Sequence, residues 1–137
     1  MSRNASPTEA QITAMAKLPD DGPIQMLNLI RLRDKAVYKD GTDATGAQAY
    51  ATYGRKSGPI FARLGGRIVW SGAPKLVLIG PEDERWDVAF IAEYPSASAF
   101  FALINDPEYK ANVHHRQAAV EDSRLIRLAP DMGASRV

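Results

Sequence analysis

The sequence predicts an α+β domain in which helices cover one antiparallel sheet, with one additional helix in front. Three observations support this prediction. Segments with strand-like and helix-like apolar spacing alternate along the chain, glycines and prolines separate them, and the first strand is apolar on both faces. After the additional helix, the predicted order is strand, helix, strand or strands, strand, two helices, strand. That order is the βαββαβ pattern of a ferredoxin-like sandwich.

With 137 residues, the chain is expected to form a single domain. We place a helical extension at residues 1–22, the ferredoxin-like core at residues 23–129 and a tail at residues 130–137. Apolar residues make up 45% and charged residues 24% of the chain, which is typical of a globular protein with a packed core.

Charge and composition exclude several classes of function. The formal net charge is +1 with the signs interspersed, so the basic surface of a nucleic-acid-binding protein is not expected. The chain has no cysteine, which excludes disulfides and thiolate chemistry. No apolar run has membrane length and the first residues lack an apolar signal core, so we expect a cytoplasmic protein without a membrane partner.

The first half of the chain predicts two helices and one strand. Residues 6–9 (SPTE) resemble a capping box and start a helix that runs to about residue 18 and packs on an edge of the domain. Residues 24–32 form a strand, and residues 33–46 form a polar loop that is a candidate flap. Residues 47–64 form a helix, which we expect to kink near residues 57–59 because of Pro59.

The second half predicts the remaining strands and helices. Residues 67–71 and 75–79 are short strands, which form either a hairpin or one long strand with a bulge. Residues 86–94 form the next strand, residues 95–104 a helix, and residues 123–128 the last strand.

A helix at about residues 106–119 carries the most distinctive polar side chains. It starts with an aspartate N-cap followed by proline, whose missing N–H costs nothing at the first helical position. At about 100° per residue, His114 falls on the solvent arc. Three polar residues fall among alanines and valines on the opposite, packing side: Asn112, His115 and Arg116. Chemically capable side chains are therefore predicted to point inward.

Two interpretations of these inward residues stay open. In the first they are structural, and Arg116 pairs with a carboxylate such as Glu93, with several backbone carbonyls, or with the other subunit. In the second, Arg116 binds an anionic or carbonyl-bearing ligand and His115 transfers a proton near neutral pH. Asn28, within the first strand, likewise either bonds a neighbouring loop or lines a pocket.

A metal site or another cofactor is not expected. Adjacent helical residues such as His114 and His115 diverge by about 100°, so they would not hold one metal ion together. With two histidines and no cysteine, a metal site would consist mostly of carboxylates. The sequence contains neither a phosphate-binding loop nor a dinucleotide fingerprint.

The first strand also predicts the oligomeric state. Residues at its even and odd positions are both largely apolar, so both faces of the strand need a cover. The helices of a ferredoxin-like fold lie on one side of the sheet, and a second copy of the sheet is the simplest cover for the other. We therefore expect a homodimer with the sheets face to face, which is a dimeric α/β barrel.

Sequence blocks between residues 23 and 128 resemble the domain-of-unknown-function family 1330. The blocks are IQMLNL, AYATYG, GGR, YPS, DPEY and HRQAA, and those after residue 95 are the most specific. The resemblance implies a dimeric α+β barrel but no established biochemical role. Related barrel families include cofactor-free monooxygenases, haem-dependent enzymes, and isomerases or lyases of small cyclic compounds. The positions that recur in the family correspond to Asn28, Tyr53, Tyr109 and Arg116, with His115 adjacent.

Two functions are compatible with these residues. One is a cofactor-independent enzyme that acts on a small anionic or carbonyl-bearing molecule, with His115 and Arg116 as the catalytic residues. The other is a non-catalytic dimer that binds or senses a small molecule in the same pocket. In either case the expected substrate-binding residues are Asn28, Tyr53, Glu93, Tyr109 and Asn112.

Overall fold

The structure, a computed structural model, describes residues 3–130. The elements in chain order are α1 (Glu9–Ala16), β1 (Ile24–Leu32), α2 (Gly46–Arg63), β2 (Arg67–Gly72), β3 (Val88–Tyr94), α3 (Ala97–Asn105), α4 (Pro107–Ala119) and β4 (Val120–Leu128). After α1, this is the predicted order, with two consecutive helices before the last strand. The tail at residues 131–137 lies outside the described residues.

The four strands form one antiparallel sheet in the order β2-β3-β1-β4. Strand β1 is central, and its Met26 lies opposite Ala92 of β3 and Arg127 of β4. The edge strand β2 contains a bulge between Ile68 and Trp70. The strand order and the antiparallel pairing confirm the predicted ferredoxin-like fold.

Helices α2, α3 and α4 pack on the same face of the sheet. Ile24 and Met26 of β1 share one buried cluster with Ile60 of α2, Phe100 of α3 and Tyr109 of α4. A second buried cluster consists of Ile30, Ala36, Ala49, Ala118, Ala119 and Val120. None of the helices in residues 3–130 is long and apolar enough to cross a membrane.

The opposite face of the sheet, which we call the open face, carries no helix of residues 3–130. Leu27 of β1 lies opposite Ile91 of β3 and Ile126 of β4, and all three point away from the helices. Trp70 and Ile126 on this face are 53% and 45% exposed. The second apolar face that the alternation in β1 predicts is therefore present.

The N-terminal segment begins along the edge strand β4, whereas α1, the helix that was expected to pack on an edge, packs Met15 against the buried cluster of Ile24 and Met26. The amide of Arg3 donates to the carbonyl of Glu121 at 2.8 Å, and the Ser123 hydroxyl donates to the carbonyl of Asn4 at 2.6 Å. The N-cap of α1 was expected at Ser6, but it is Thr8, whose capping box is completed by Gln11. The prediction placed this cap two residues early because both serine and threonine are suitable N-caps.

The predicted strand at residues 75–79 is wrong, so this segment forms neither a hairpin nor a continuation of β2. Strand β2 ends at Gly72, opposite Ala89, and residues 73–87 leave the sheet. Residues 76–79 have the β-branched and apolar composition of a strand, but no neighbouring strand of the described chain lies beside them. Strand β3 accordingly starts at Val88 rather than at Trp86.

The loop at residues 33–46, predicted as a candidate flap, is fixed to the domain. The amide of Val37 donates to the carbonyl of Ala118 at 2.9 Å, and Lys35 forms a bridge with Thr45. Helix α2 then runs from Gly46 to Arg63 without a break at Pro59.

A capping box at Thr45 starts α2, and its removal should destabilise the protein. The Thr45 hydroxyl accepts from the Gln48 amide at 3.0 Å, and the Gln48 side chain accepts from the Thr45 amide at 2.9 Å. We expect Thr45→Ala to lower the free energy of unfolding by about 1 kcal/mol in urea denaturation. Thr52→Ala is the control, since the Thr52 hydroxyl only donates to the Gln48 carbonyl within the helix. Equal losses for the two variants would contradict the assignment of this cap.

Candidate functional site

A cleft of about 1520 Å³ lies between the sheet and the helices that cover it. Met26, Asn28 and Phe90 of the sheet contribute to its floor, and helices α2 and α4 supply two walls. Parts of the N-terminal segment, between residues 4 and 18, line it as well. The volume lies above the roughly 300–1,000 Å³ of most ligand sites, so a single small molecule would fill only part of the cleft.

Most of the cleft surface is apolar. Met15 of α1, Phe61 of α2 and Val113 of α4 line it together with Phe90 and Leu125 of the sheet. Such a lining favours the hydrocarbon or aromatic part of a ligand, while a few polar groups fix its orientation.

Arg116 is one of two cationic residues of α4 in this lining, and the other, Lys110, is exposed. The position of Arg116 follows from helix geometry, because Tyr109, Val113 and Arg116 are spaced i, i+4 and i+7 and share one stripe of α4. The half-buried guanidinium donates from Nη1 to the carbonyl of Ala5, and from Nη2 to the Ser123 hydroxyl at 3.4 Å. Both partners are neutral, and within residues 3–130 no carboxylate forms an ion pair with Arg116.

Two tyrosine hydroxyls from different helices meet beside the cleft. Tyr53 Oη of α2 and Tyr109 Oη of α4 are 2.8 Å apart, and their rings meet edge to face at 74°. Burial raises the pKa of Tyr109 well above its usual value, and the neighbouring Tyr53 raises it further. Burial likewise raises the pKa of Tyr50, which also lines the cleft. The phenol of Tyr109 is therefore protonated at neutral pH.

Asn28 lies in the floor of the cleft. Its side chain is half-buried and donates from Nδ2 to the carbonyl of Met26 at 3.0 Å. This local bond fixes the amide group and uses one donor, which leaves the side-chain oxygen as an acceptor. Asn28 therefore lines the cleft, and its side-chain amide bonds its own strand rather than a neighbouring loop.

Three of the predicted site residues lie outside the cleft lining: Glu93, Asn112 and His115. Glu93 points from the open face, where it binds Arg67 at 2.7 Å and Gln25 at 3.1 Å. The suggested Glu93–Arg116 pair is therefore wrong within the protomer, because alternation along β3 directs Glu93 away from α4. Asn112 donates to the carbonyl of Glu108 at 2.9 Å.

His115 lies on the side of α4 that contacts the loop at residues 33–46. Its Nδ1 is 2.7 Å from the Tyr38 hydroxyl. Partial burial lowers the pKa of His115 below its usual value, and the electrostatic interaction with His114 lowers it further. The rings of His114 and His115 are 4.1 Å apart and do not diverge as expected, yet residues 3–130 contain no group of three or more potential metal ligands.

Two parts of the site were missed in the sequence. Ser123 was predicted only as the start of the last strand, although its hydroxyl contacts Arg116. The carbonyl of Ala5 belongs to the predicted helical extension at residues 1–22, in which no site residue was expected. Ser123 stands between Asp122 and Arg124, so its neighbours gave no signal for a site residue, and a backbone carbonyl leaves no signal in the sequence either.

Comparisons with known proteins assign the family. The model of the domain of unknown function DUF1330 matches residues 41–128. A crystal structure of methylated RPA0582 protein is 55% identical, covers 98% of this chain and 100% of that chain, and superimposes with a TM-score of 0.95. A second crystal structure of RPA0582, a protein of unknown function from Rhodopseudomonas palustris, is 56% identical over 94% of this chain and 98% of that chain, with a TM-score of 0.90.

More distant structures share the fold alone. A cofactor-independent oxygenase from Streptomyces nogalater, SnoaB, is 15% identical over 84% of this chain and 99% of that chain, with a TM-score of 0.53. A dimeric ferredoxin-like protein of unknown function from Thermobifida fusca is 20% identical over 83% of this chain and 97% of that chain, with a TM-score of 0.52. No curated protein matches. The family match extends over more than half of the sequence, and the chain therefore belongs to the domain-of-unknown-function family 1330.

Proposed function

We propose that the protein is a homodimer that binds a small, mainly apolar molecule with a carboxylate or carbonyl group in the cleft between sheet and helices. One observation carries the proposal: the Arg116 guanidinium lines an apolar cleft and has only neutral oxygen partners among residues 3–130. A half-buried charge without a counter-charge is unfavourable, so an anionic ligand would gain from occupying this position.

The surroundings of Arg116 favour a carboxylate over a larger anion. A guanidinium forms its strongest contacts with planar carboxylates, through two parallel hydrogen bonds. Tyr50 and Tyr109 are close enough for the positive charge of Arg116 to act against the rise of their pKa values. Their protonated hydroxyls can donate to the same oxygen atoms, while Met26, Phe90 and the other apolar residues contact the rest of the ligand.

Homodimer formation is supported by the open face. Leu27, Ile91 and Ile126 form an apolar surface on a sheet whose other face is covered by helices. The Thermobifida fusca protein of the same fold is described as dimeric. Packing two such faces would bury the apolar surface of both chains, which is the expected driving force for association.

Cofactor-independent catalysis is the second candidate function, and the Tyr53–Tyr109 pair favours it. One hydroxyl of the pair donates to the other, and the second hydrogen can be directed to a substrate oxygen. Together with Arg116, such a donor would stabilise negative charge on a carbonyl oxygen. His115 was the expected acid–base residue, but its position outside the cleft supports the tyrosines for this role instead.

A thermal-shift experiment tests the anion site. The wild type, Arg116→Gln and the control Arg55→Gln, an exposed arginine outside the cleft, are each heated with aromatic and medium-chain carboxylates and with the matching alcohols. At about 100 times the dissociation constant, a carboxylate should raise Tm of the wild type and of Arg55→Gln by roughly 8 °C. The shift should disappear in Arg116→Gln and with the alcohols.

The same series separates the proposed functions. Equal shifts in all three proteins would place the anion site elsewhere, and no shift with any carboxylate would contradict the proposal. A carboxylate that stabilises the wild type and is recovered unchanged after prolonged incubation supports the binding function. Conversion of that molecule by the wild type supports the catalytic one.

A further inference from the structure

The segment between β2 and β3 carries an apolar tip that is largely exposed in the protomer. This tip is residues 76–79 (LVLI), and Leu76, Leu78 and Ile79 are 78%, 84% and 93% exposed. Single exposed apolar residues are common on protein surfaces, but three within four consecutive residues, each more than three quarters exposed, are typical of a surface that binds a partner.

The segment that follows the tip is held in place beside the open face. Arg31 donates to the carbonyl of Asp83 at 3.2 Å, and the Arg124 guanidinium lies 5.2 Å from the centre of the Trp86 ring. Arg31 follows Leu29 by two residues and Arg124 lies opposite Leu29, so both arginines project from the open face. The apolar tip therefore leads into a segment that is anchored beside the surface through which the homodimer is proposed to form.

The charges around the tip favour a second copy of this chain over a membrane. Glu82, Asp83 and Glu84 follow the tip after Gly80 and Pro81 and would be repelled by an anionic lipid surface. The open face of a second copy offers apolar residues, Leu27 and Ile91 among them, with the basic Arg67 at its edge.

We propose that the apolar tip packs beside the open face of a second copy and forms a strand only there, by pairing with an edge strand of that copy such as β2. The composition of residues 76–79 favours a strand, and the protomer provides no neighbouring strand for them. This inference rests on the proposed homodimer and adds to it a reciprocal exchange, in which each copy contributes its tip to the other.

The first test is the association constant of a tip variant. The triple variant Leu76→Ser, Leu78→Ser, Ile79→Ser is compared with the wild type and with Val37→Ser, which changes an exposed apolar residue in the loop at residues 33–46. Sedimentation equilibrium should show a dissociation constant raised about 100-fold in the triple variant, since several buried anchor side chains are lost. Val37→Ser should dimerise like the wild type.

Hydrogen exchange of the unmodified protein provides the second test. The amides of residues 76–79 should be protected at concentrations where the wild type is dimeric and should exchange freely on dilution to monomer. A wild-type dimer in which these amides exchange freely, or a triple variant that dimerises normally, would overturn the tip exchange and leave the homodimer standing. A monomeric wild type would overturn both proposals. Binding to anionic vesicles that depends on the tip would assign it to a membrane instead.

Discussion

Leu27→Asp is expected to convert the protein to a monomer. Leu27 lies in the central strand β1, between Ile91 and Ile126, at the middle of the open face. In a symmetric dimer the substitution places two carboxylates in the apolar interface, because both copies present the same surface. Burying unpaired charges costs several kcal/mol, so the dissociation constant should rise about 1000-fold or more in sedimentation equilibrium.

The fold itself should tolerate this substitution. The side chain of Leu27 points away from the helices and is only partly buried in the protomer, so water can hydrate the new carboxylate in a monomer. Val37→Asp is the matched control, since it adds the same charge at an exposed apolar residue outside the open face. If Leu27→Asp dimerises as tightly as the wild type, the interface lies on another surface.

The sequence predicted the sheet well because strand periodicity is a local property. Alternation in β1 placed Met26 and Leu27 on opposite faces of the sheet, and the structure confirms this, with Met26 on the helix-covered face. The same strand predicted the apolar open face. Most element boundaries also followed from local signals, such as the Asp106–Pro107 start of α4.

Errors arose wherever the outcome depended on a partner distant in the sequence. Residues 75–79 have strand composition, but a strand needs a neighbour, and β3 ends its pairing with β2 at Ala89. Glu93 was matched to Arg116 by charge alone, although they lie on different sides of the sheet. The correct partner, Arg67, is opposite Glu93 on the adjacent strand.

The candidate site was predicted in part. Arg116 entered the cleft as one interpretation required, and the resemblance to the family pointed to Asn28, Tyr53 and Tyr109, which all line it. The side chains of His115 and Arg116 differ in direction by about 100° around the helix. Arg116 therefore faces the cleft, whereas His115 faces the loop that contains Tyr38. A helical wheel alone does not show which of two buried stripes faces the cleft.

Gly46→Ala is expected to be among the most destabilising single substitutions in the protein. A Cβ atom at this position would lie 1.9 Å from the carbonyl oxygen of Arg33 and 2.8 Å from its carbonyl carbon. These are backbone atoms, so a side-chain rotation does not relieve the overlap. The loop at residues 33–46 is also fixed, since Gly46 donates to the Asp34 carbonyl at 3.3 Å and Ala36 to the Ala44 carbonyl at 2.9 Å.

Moving this backbone would separate the start of α2 from the end of β1. We expect Gly46→Ala to lower the free energy of unfolding by about 3 kcal/mol in urea denaturation, the upper end of the usual cost of overpacking. Gly54→Ala in the same helix is the control, because a Cβ atom there meets no atom within 4 Å. That variant should gain about 0.5–1 kcal/mol from the higher helix propensity of alanine. If both variants raise the free energy of unfolding, the backbone of the loop at residues 33–46 can move to accommodate a Cβ atom at little cost. The close contact at Gly46 would then not fix this loop against the helix.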